Sequence, residues 1–559
     1  MTDKLPIIYV RGYGGPTAGI NAQVEDPFYG FNSGSTHIRV AGDGAPAFYQ
    51  FEGPLIRLTG DEGYHVYVHG SQQGVLDDAS VDLATAPSIW IYRFYDQAAT
   101  TFAAPPHENL AERLLNRLHQ KVTADGFDIE GAARGLYDLI EQVIARTTVP
   151  GQGPAKVNLV AHSMGGLIAR CMIQKICLQD GRKPATDLVS RFFTYGTPHG
   201  GIRSAGGLAQ WVEETFGPAG SKIFAPEMMA GYLSPDKNFG DVCDPGWDPQ
   251  VMDPAVFPLN DIFCLIGTDP ADYGWASRTA MGPQTDGLVH MDNAYVRGAH
   301  RAYVHRSHSG AYGEVNSEEG YQNLRRFLFG RWAVSAALVD AELPPDPLYS
   351  WQLDMRLSIR GLSVVMSEQV TEHWCPIMLS APAGQPDPLA HPDGVPLAGT
   401  FLLDPRDRDD QLPGSSNRMR YTLTLRLFKV PVADKVFNFN DSMEQVPFWQ
   451  DWLIVDVDPM PASATGAAMG ATAGATAGAA AGPGEARPAA YAAWGSVLPG
   501  PILDPDPLNQ ELPPEQGGQT LEFTAAAGSL RALMPLPAAA AQGQILGGQA
   551  KICITVSGR

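Results

Sequence analysis

The 559-residue sequence predicts an α/β fold built on a doubly wound, mostly parallel sheet, followed by a separate all-β domain. Three observations carry this reading. Up to about residue 330, short apolar runs alternate with stretches of helical periodicity, the pattern of a parallel sheet covered on both faces. Beyond about residue 340 the hydrophobic pattern switches from the helical period to the alternation of strands. The length itself calls for more than one domain.

The elements follow in order. Residues 6–10 form a first buried strand, and Arg11-Gly12-Tyr13-Gly14-Gly15 is a glycine-rich turn after it. A helix is expected from Phe51 to about Tyr64 and a strand over residues 88–95. Two helices are expected near 107–122 and 129–147. Leu110, Leu114, Leu115 and Leu118 mark the first, and Leu136, Leu139, Ile140 and Ile144 the second. Further strands are expected over residues 191–195, 261–267 and 301–305. A last helix follows, capped by Asn316 or Ser317, with Glu319 in its first turn and Tyr321, Leu324, Phe327 and Leu328 on its apolar face.

The most informative stretch is Lys156 to Gly166. Val157, Leu159 and Val160 read as an inner strand of a parallel sheet, and Leu167, Ile168, Cys171, Met172, Ile176 and Cys177 recur at helical spacing. Between them lies Ala161-His162-Ser163-Met164-Gly165, with small residues two before and two after the serine. This is the strand–turn–helix form of G-x-S-x-G, with alanine in place of the first glycine. It exposes the Ser163 hydroxyl beside the free N–H groups of a helix N-terminus. A nucleophilic serine needs a base, an acid to orient the base, and donors for an oxyanion. The glycine-rich turn after the first strand offers the backbone N–H of Tyr13 or of Gly12, and Met164 supplies the second donor. For the acid, Asp269 follows strand 261–267 directly, while Asp286 sits in an Asp-Gly turn; Asp286 is preferred. For the base, His308 in the loop between the last strand and last helix is preferred over His305.

Together these residues resemble the bacterial lipase and esterase branch of the α/β-hydrolase family. The resemblance covers roughly residues 1–335. It rests on the Ser163 elbow, on Tyr195-Gly196-Thr197-Pro198-His199-Gly200-Gly201, on Thr285-Asp286-Gly287-Leu288-Val289 and on His308-Ser309-Gly310. It implies a lipase-like fold, with the acid in the Asp-Gly-Leu-Val segment. His162 and His199 are not expected to be the base, since one lies inside the elbow and the other precedes the acid. The expected activity is that of a serine carboxylic-ester hydrolase acting on lipid or small-ester substrates, with no metal or organic cofactor. Alternatives are a phospholipase held at a lipid surface by the β domain, and a non-catalytic binding protein on a hydrolase scaffold.

Residues 202–258 interrupt the strand–helix alternation and are rich in Trp211, Phe216, Phe224, Met228, Met229 and Tyr232; they read as a cap or lid lining an acyl pocket. The catalytic domain is expected over 1–335 and the β-rich domain, sandwich-like, over 345–559. Its strands are marked by alternation from Trp351 to Ile359 and Met419 to Leu427, and by the apolar stretches Trp452 to Val457 and Lys551 to Val556. Residues 461–484, uncharged and mostly Ala, Gly and Thr, read as a flexible loop and not a membrane span, because they lack large apolar side chains.

The net charge of −21 argues against nucleic-acid binding and against electrostatic docking on anionic lipid. Six cysteines without metal-ligand spacing imply neither a metal site nor a disulfide framework. The first five residues lead straight into the first strand with nothing resembling a signal peptide. A cytoplasmic address, or export without a cleaved leader, is expected.

Overall fold

The structure is a computed structural model. It describes residues 4–12, 39–40, 46–47, 52–67, 72–92, 128–149, 151, 155–202, 223–270, 282–308, 313–344, 346, 348–359, 361–381, 386–403, 419–431, 446–458, 489–498, 519–526 and 529–559. Tyr13, the helix expected near 107–122, Trp211, Phe216 and the 461–484 segment lie outside the described residues. The chain divides into two compact units, Met1–Leu324 and Arg325–Arg559.

The first unit is built on a seven-stranded sheet. Its strands are β1 (Ile7–Val10), β2 (His65–Val66), β3 (Ser88–Tyr92), β4 (Val157–His162), β5 (Val189–Tyr195), β6 (Ile262–Gly267) and β7 (His300–Val304), in the order β2-β3-β1-β4-β5-β6-β7. Every pairing is parallel. β1, β3, β4 and β6 are buried along their whole length, which explains why they read as apolar runs and not as alternation. Three helices bear on the site: α1 (Ile129–Thr147), α2 (Met164–Gln174) and α3 (Glu318–Phe329). α1 begins where the Asp128 carboxylate accepts from Gly131 N, and it buries Leu136, Leu139, Ile140 and Ile144, the face read from the sequence. The helix expected from Phe51 runs over Glu52–Glu62. Ser317 caps α3, its Oγ accepting from Gly320 N at 2.9 Å.

Within 202–258, Phe224, Met229 and Tyr232 are buried. Lys175, at the end of α2, fastens this region by donating to the carbonyls of Gly231 and Lys237 at 2.8 and 2.7 Å while pairing with Glu130 of α1. All six cysteines are free, and Cys171, Cys264 and Cys553 are buried as small apolar residues. Among the described residues no helix is long and apolar enough to cross a membrane.

The second unit consists of two antiparallel sheets. In chain order its strands are β8 (Trp332–Val339), β9 (Tyr349–Ile359), β10 (Val365–Gln369), β11 (Ile377–Met378), β12 (Val395–Leu402), β13 (Met419–Pro431), β14 (Trp449–Asp458), β15 (Ala489–Trp494), β16 (Gln519–Thr520), β17 (Thr524–Ala526), β18 (Ser529–Pro535) and β19 (Lys551–Gly558). One sheet has the order β12-β8-β19-β18-β17, the other β10-β9-β13-β14-β15-β16 with β11 paired to β9. Leu353, Met355 and Leu425 of the second sheet share one apolar cluster with Leu338, Ile552 and Ile554 of the first. The unit begins earlier than the expected boundary after residue 335, because Trp332–Val339 is itself a sheet strand between β12 and β19.

Arg420 and Asp456 stand opposite each other on β13 and β14, both buried. Arg420 Nε and Nη2 donate to Asp456 Oδ1 and Oδ2 at 2.6 and 2.8 Å. Removing one partner of a buried, forked ion pair strands the other charge, at a cost of about 3–5 kcal/mol. Arg420→Ala is therefore expected to lower the unfolding midpoint of the full chain in urea, whereas Arg420→Met combined with Asp456→Leu is expected to leave it near the original value. Equal midpoints for Arg420→Ala and the unaltered chain would contradict this account.

Candidate active site

Ser163 stands between the end of β4 and the start of α2, with φ 53° and ψ −129°. A positive φ is costly for a side chain with Cβ, so the surroundings must enforce it. They do so by crowding. Ser163 N donates to the Tyr195 carbonyl at 2.9 Å, and the Ser163 carbonyl accepts from Gly166 N at 3.0 Å and Thr197 Oγ1 at 2.9 Å. A Cβ on Gly165 would lie 2.6 Å from the Val10 carbonyl, and one on Gly166 only 2.1 Å from Thr197 Oγ1. The small residues required by the motif are thus required by the approach of β1 and of the Thr197 turn to α2.

His308 and Asp286 complete a relay. Ser163 Oγ lies 2.9 Å from His308 Nε2, and His308 Nδ1 lies 2.8 Å from Asp286 Oδ2. With the carboxylate accepting from Nδ1–H, Nε2 is free to accept the serine proton. All three residues are buried. Asp286 is held by its own turn: Oδ1 accepts from Leu288 N at 2.9 Å and Val289 N at 2.6 Å, and Gly287 takes φ 102°, which glycine adopts without strain. The Asp286 carbonyl accepts from His308 N at 2.9 Å, tying acid and base through the backbone as well.

Asp269 faces His305, with Oδ2 3.9 Å from Nε2, and His305 Nδ1 lies 3.3 Å from Thr268 Oγ1. His199 is buried with Nε2 3.1 Å from Thr194 Oγ1. His162 donates from Nε2 to the His308 carbonyl at 2.9 Å. Burial, then the neighbouring His308 and Arg11, hold the His162 imidazole well below its usual range, so it stays neutral. Met164 is the first residue of α2, where its N–H has no carbonyl one turn earlier to bind. Tyr13, the other expected donor, lies outside the described residues; Gly12 is described, and a Cβ there would lie 2.5 Å from His162 Nδ1.

Two features of the site carry no signal in the sequence. Thr197 reads in the sequence only as part of a motif, not as the clamp on the serine carbonyl. Glu314, fully buried beside the relay, was not singled out; one glutamate in a loop before a helix gives no signal of burial. His162, His308 and Glu314 present ligand-type atoms within 4.8 Å of one another. Both His308 ring nitrogens are engaged, so a metal ion bound there would have to displace Ser163 or Asp286.

The parallel sheet, the strained serine and the relay define a chain that resembles the α/β-hydrolase serine esterases. Residues 98–213, which include the elbow, match the family described as "Putative serine esterase (DUF676)". Among solved structures, the lin2722 gene product of Listeria innocua aligns over 58% of this chain and 94% of its own, at 14% identity and a TM-score of 0.24. At that score the fold rests on strand order and register alone. No curated protein matches the chain.

Proposed function

We propose that the chain is a serine carboxylic-ester hydrolase of lipase type, cleaving acyl esters of lipids through an acyl-enzyme intermediate. The observation that carries this is the continuous relay from Ser163 Oγ through His308 to Asp286, at 2.9 and 2.8 Å, on a strained strand-to-helix serine. His308 Nε2 takes the Ser163 proton as Oγ attacks the ester carbonyl, and the alkoxide leaves with that proton. Asp286 holds the imidazole in the required tautomer and offsets the charge of the imidazolium. The N–H groups of Met164 and of the turn at Gly12–Tyr13 receive the oxyanion. Water, activated by His308, releases the acid. The insertion after β5 is assigned to recognition of the acyl group, and the antiparallel unit to a supporting role.

The test is covalent labelling with a fluorophosphonate probe, followed by turnover of p-nitrophenyl esters from acetate to palmitate. Labelling is expected at Ser163 and nowhere else, with hydrolysis rising toward the longer chains. Labelling at Ser163 with activity confined to acetate would make the chain a short-ester esterase. No labelling and no turnover would remove the hydrolase reading and favour a binding protein on this scaffold.

A further inference from the structure

The antiparallel unit holds a cavity that its own side chains leave unfilled. It lies between the two sheets and measures about 620 Å³, its open mouth included. β8, β12 and β19 wall it on one side, and β9, β13, β14 and β15 on the other. Protein interiors are packed as densely as organic crystals, with few voids larger than a water molecule, so a space of this kind calls for a reason. It arises because small residues stand where longer ones would close the gap: Ala336 on β8, Ala398 on β12 and Ala490 on β15. The rest of the wall is mainly aliphatic and aromatic, and among the described residues no charged side chain lines it. Apolar cavities stay dry and accept apolar ligands. Gly399 and Phe523 are only half-buried and mark the mouth.

One buried hydroxyl interrupts this wall. Thr400 stands opposite Val334 on the β12–β8 pair, and both line the cavity. Thr400 is 6% exposed, and its Oγ1 has no hydrogen-bond partner among the described residues. A buried hydroxyl left unsatisfied is rare and costly. Valine would take the same shape at this position without stranding a polar atom.

Shape and chemistry together define what fits. Sheets packed face to face lie about 10 Å apart, so a gap left by short side chains is one alkyl chain deep and too shallow for a fused-ring lipid. A charged head group brought to Thr400 would lose its hydration with no cation there to replace it. An uncharged oxygen loses less and gains the Thr400 hydroxyl as its partner.

We propose that this cavity binds the alkyl chain of an uncharged single-chain lipid, a long-chain alcohol or its ester, with the lipid oxygen bonded to Thr400 Oγ1. Every wall of the site belongs to the antiparallel unit, so the proposal does not rest on the esterase reading.

The experiment is calorimetric titration of the full chain at neutral pH with n-hexanol, n-octanol, n-decanol and the decanoate anion. The alcohols should bind at one equivalent per chain and tighten about fourfold for each added methylene, the scale of burying that group. Decanoate should bind at least tenfold more weakly than n-decanol. Ala490→Leu fills part of the cavity and should weaken n-decanol at least tenfold. Thr400→Val keeps the shape and should weaken it roughly twofold to tenfold, the worth of one hydrogen bond. Should Ala490→Leu show no cooperative unfolding in urea, Thr400→Val and the comparison of alcohol with anion decide. The proposal is overturned if n-decanol does not bind, if decanoate binds as tightly as the alcohol, or if neither substitution weakens the alcohol, which would place it at another site. Loss of ester hydrolysis in Ser163→Ala with alcohol binding intact is the expected pattern. An absence of Ser163-dependent hydrolysis in the unaltered chain would remove the esterase reading and leave this site standing.

Discussion

Ser163→Ala is expected to lower kcat for p-nitrophenyl ester hydrolysis by about 10⁶-fold, the scale seen when a triad serine is removed elsewhere. That corresponds to about 8 kcal/mol of lost transition-state stabilisation. The size follows from what alanine removes. His308 Nε2 loses the only proton it is placed to take, and the carbonyl loses its attacking oxygen, so the relay has nothing to act on. Residual hydrolysis would come from oxyanion donors and substrate positioning with water as nucleophile. The fold should survive, since alanine keeps the Cβ and the backbone bonds of Ser163 to Tyr195, Gly166 and Thr197. Ser163→Gly separates chemistry from strain. It should be equally inactive yet more stable than Ser163→Ala, because glycine adopts φ 53° without the penalty borne by a residue with Cβ. Turnover by Ser163→Ala within tenfold of the unaltered chain would dismiss Ser163 as nucleophile.

Ser163, Asp286 and His308, whose side chains meet in the structure, each sit at a change of pattern. Ser163 ends an apolar strand and starts a helical period; Asp286 precedes a glycine at a turn; His308 lies between the last parallel strand and a capped helix. Such transitions are local, so a linear reading finds them. What could not be read is the convergence of side chains distant along the chain. Gly196 gives no hint that Glu314, His308 and Asp286 meet over it, and Arg11 gives none of its complete burial. The division between the two units carries no local signal either. Tyr321, Leu324, Phe327 and Leu328 form one continuous apolar face on α3, yet the units divide within that helix, between Leu324 and Arg325. β8 was not recognised because Ala333, Ala336 and Leu338 make its inward face; small alanines, with a bulge between Ala336 and Ala337, blur the alternation that marks a strand.

Asp286→Asn is expected to lower kcat by about 10⁴-fold with little change in KM, and Asp269→Asn to leave both near their original values. The amide is nearly isosteric with the carboxylate, so the turn should persist, with its oxygen still able to accept from Leu288 N and Val289 N. What changes is the face toward His308. A carboxylate only accepts, and therefore fixes the proton on Nδ1 and leaves Nε2 open to Ser163. An amide nitrogen in that place donates to Nδ1 and drives the imidazole proton to Nε2, where it points at the Ser163 hydroxyl and cannot receive its proton. The charge that would stabilise the imidazolium is lost in the same step. Asp269 faces a different imidazole, that of His305, with Oδ2 3.9 Å from Nε2. The pair of variants thus tests geometry against sequence position: Asp269 is nearer in sequence to the end of β6, but Asp286 is the one in contact with His308. A strong kcat loss in Asp269→Asn with Asp286→Asn unaffected would reverse the assignment. Equal losses in both would show that the effect comes from disturbing the loops after β6 and not from the tautomer of His308.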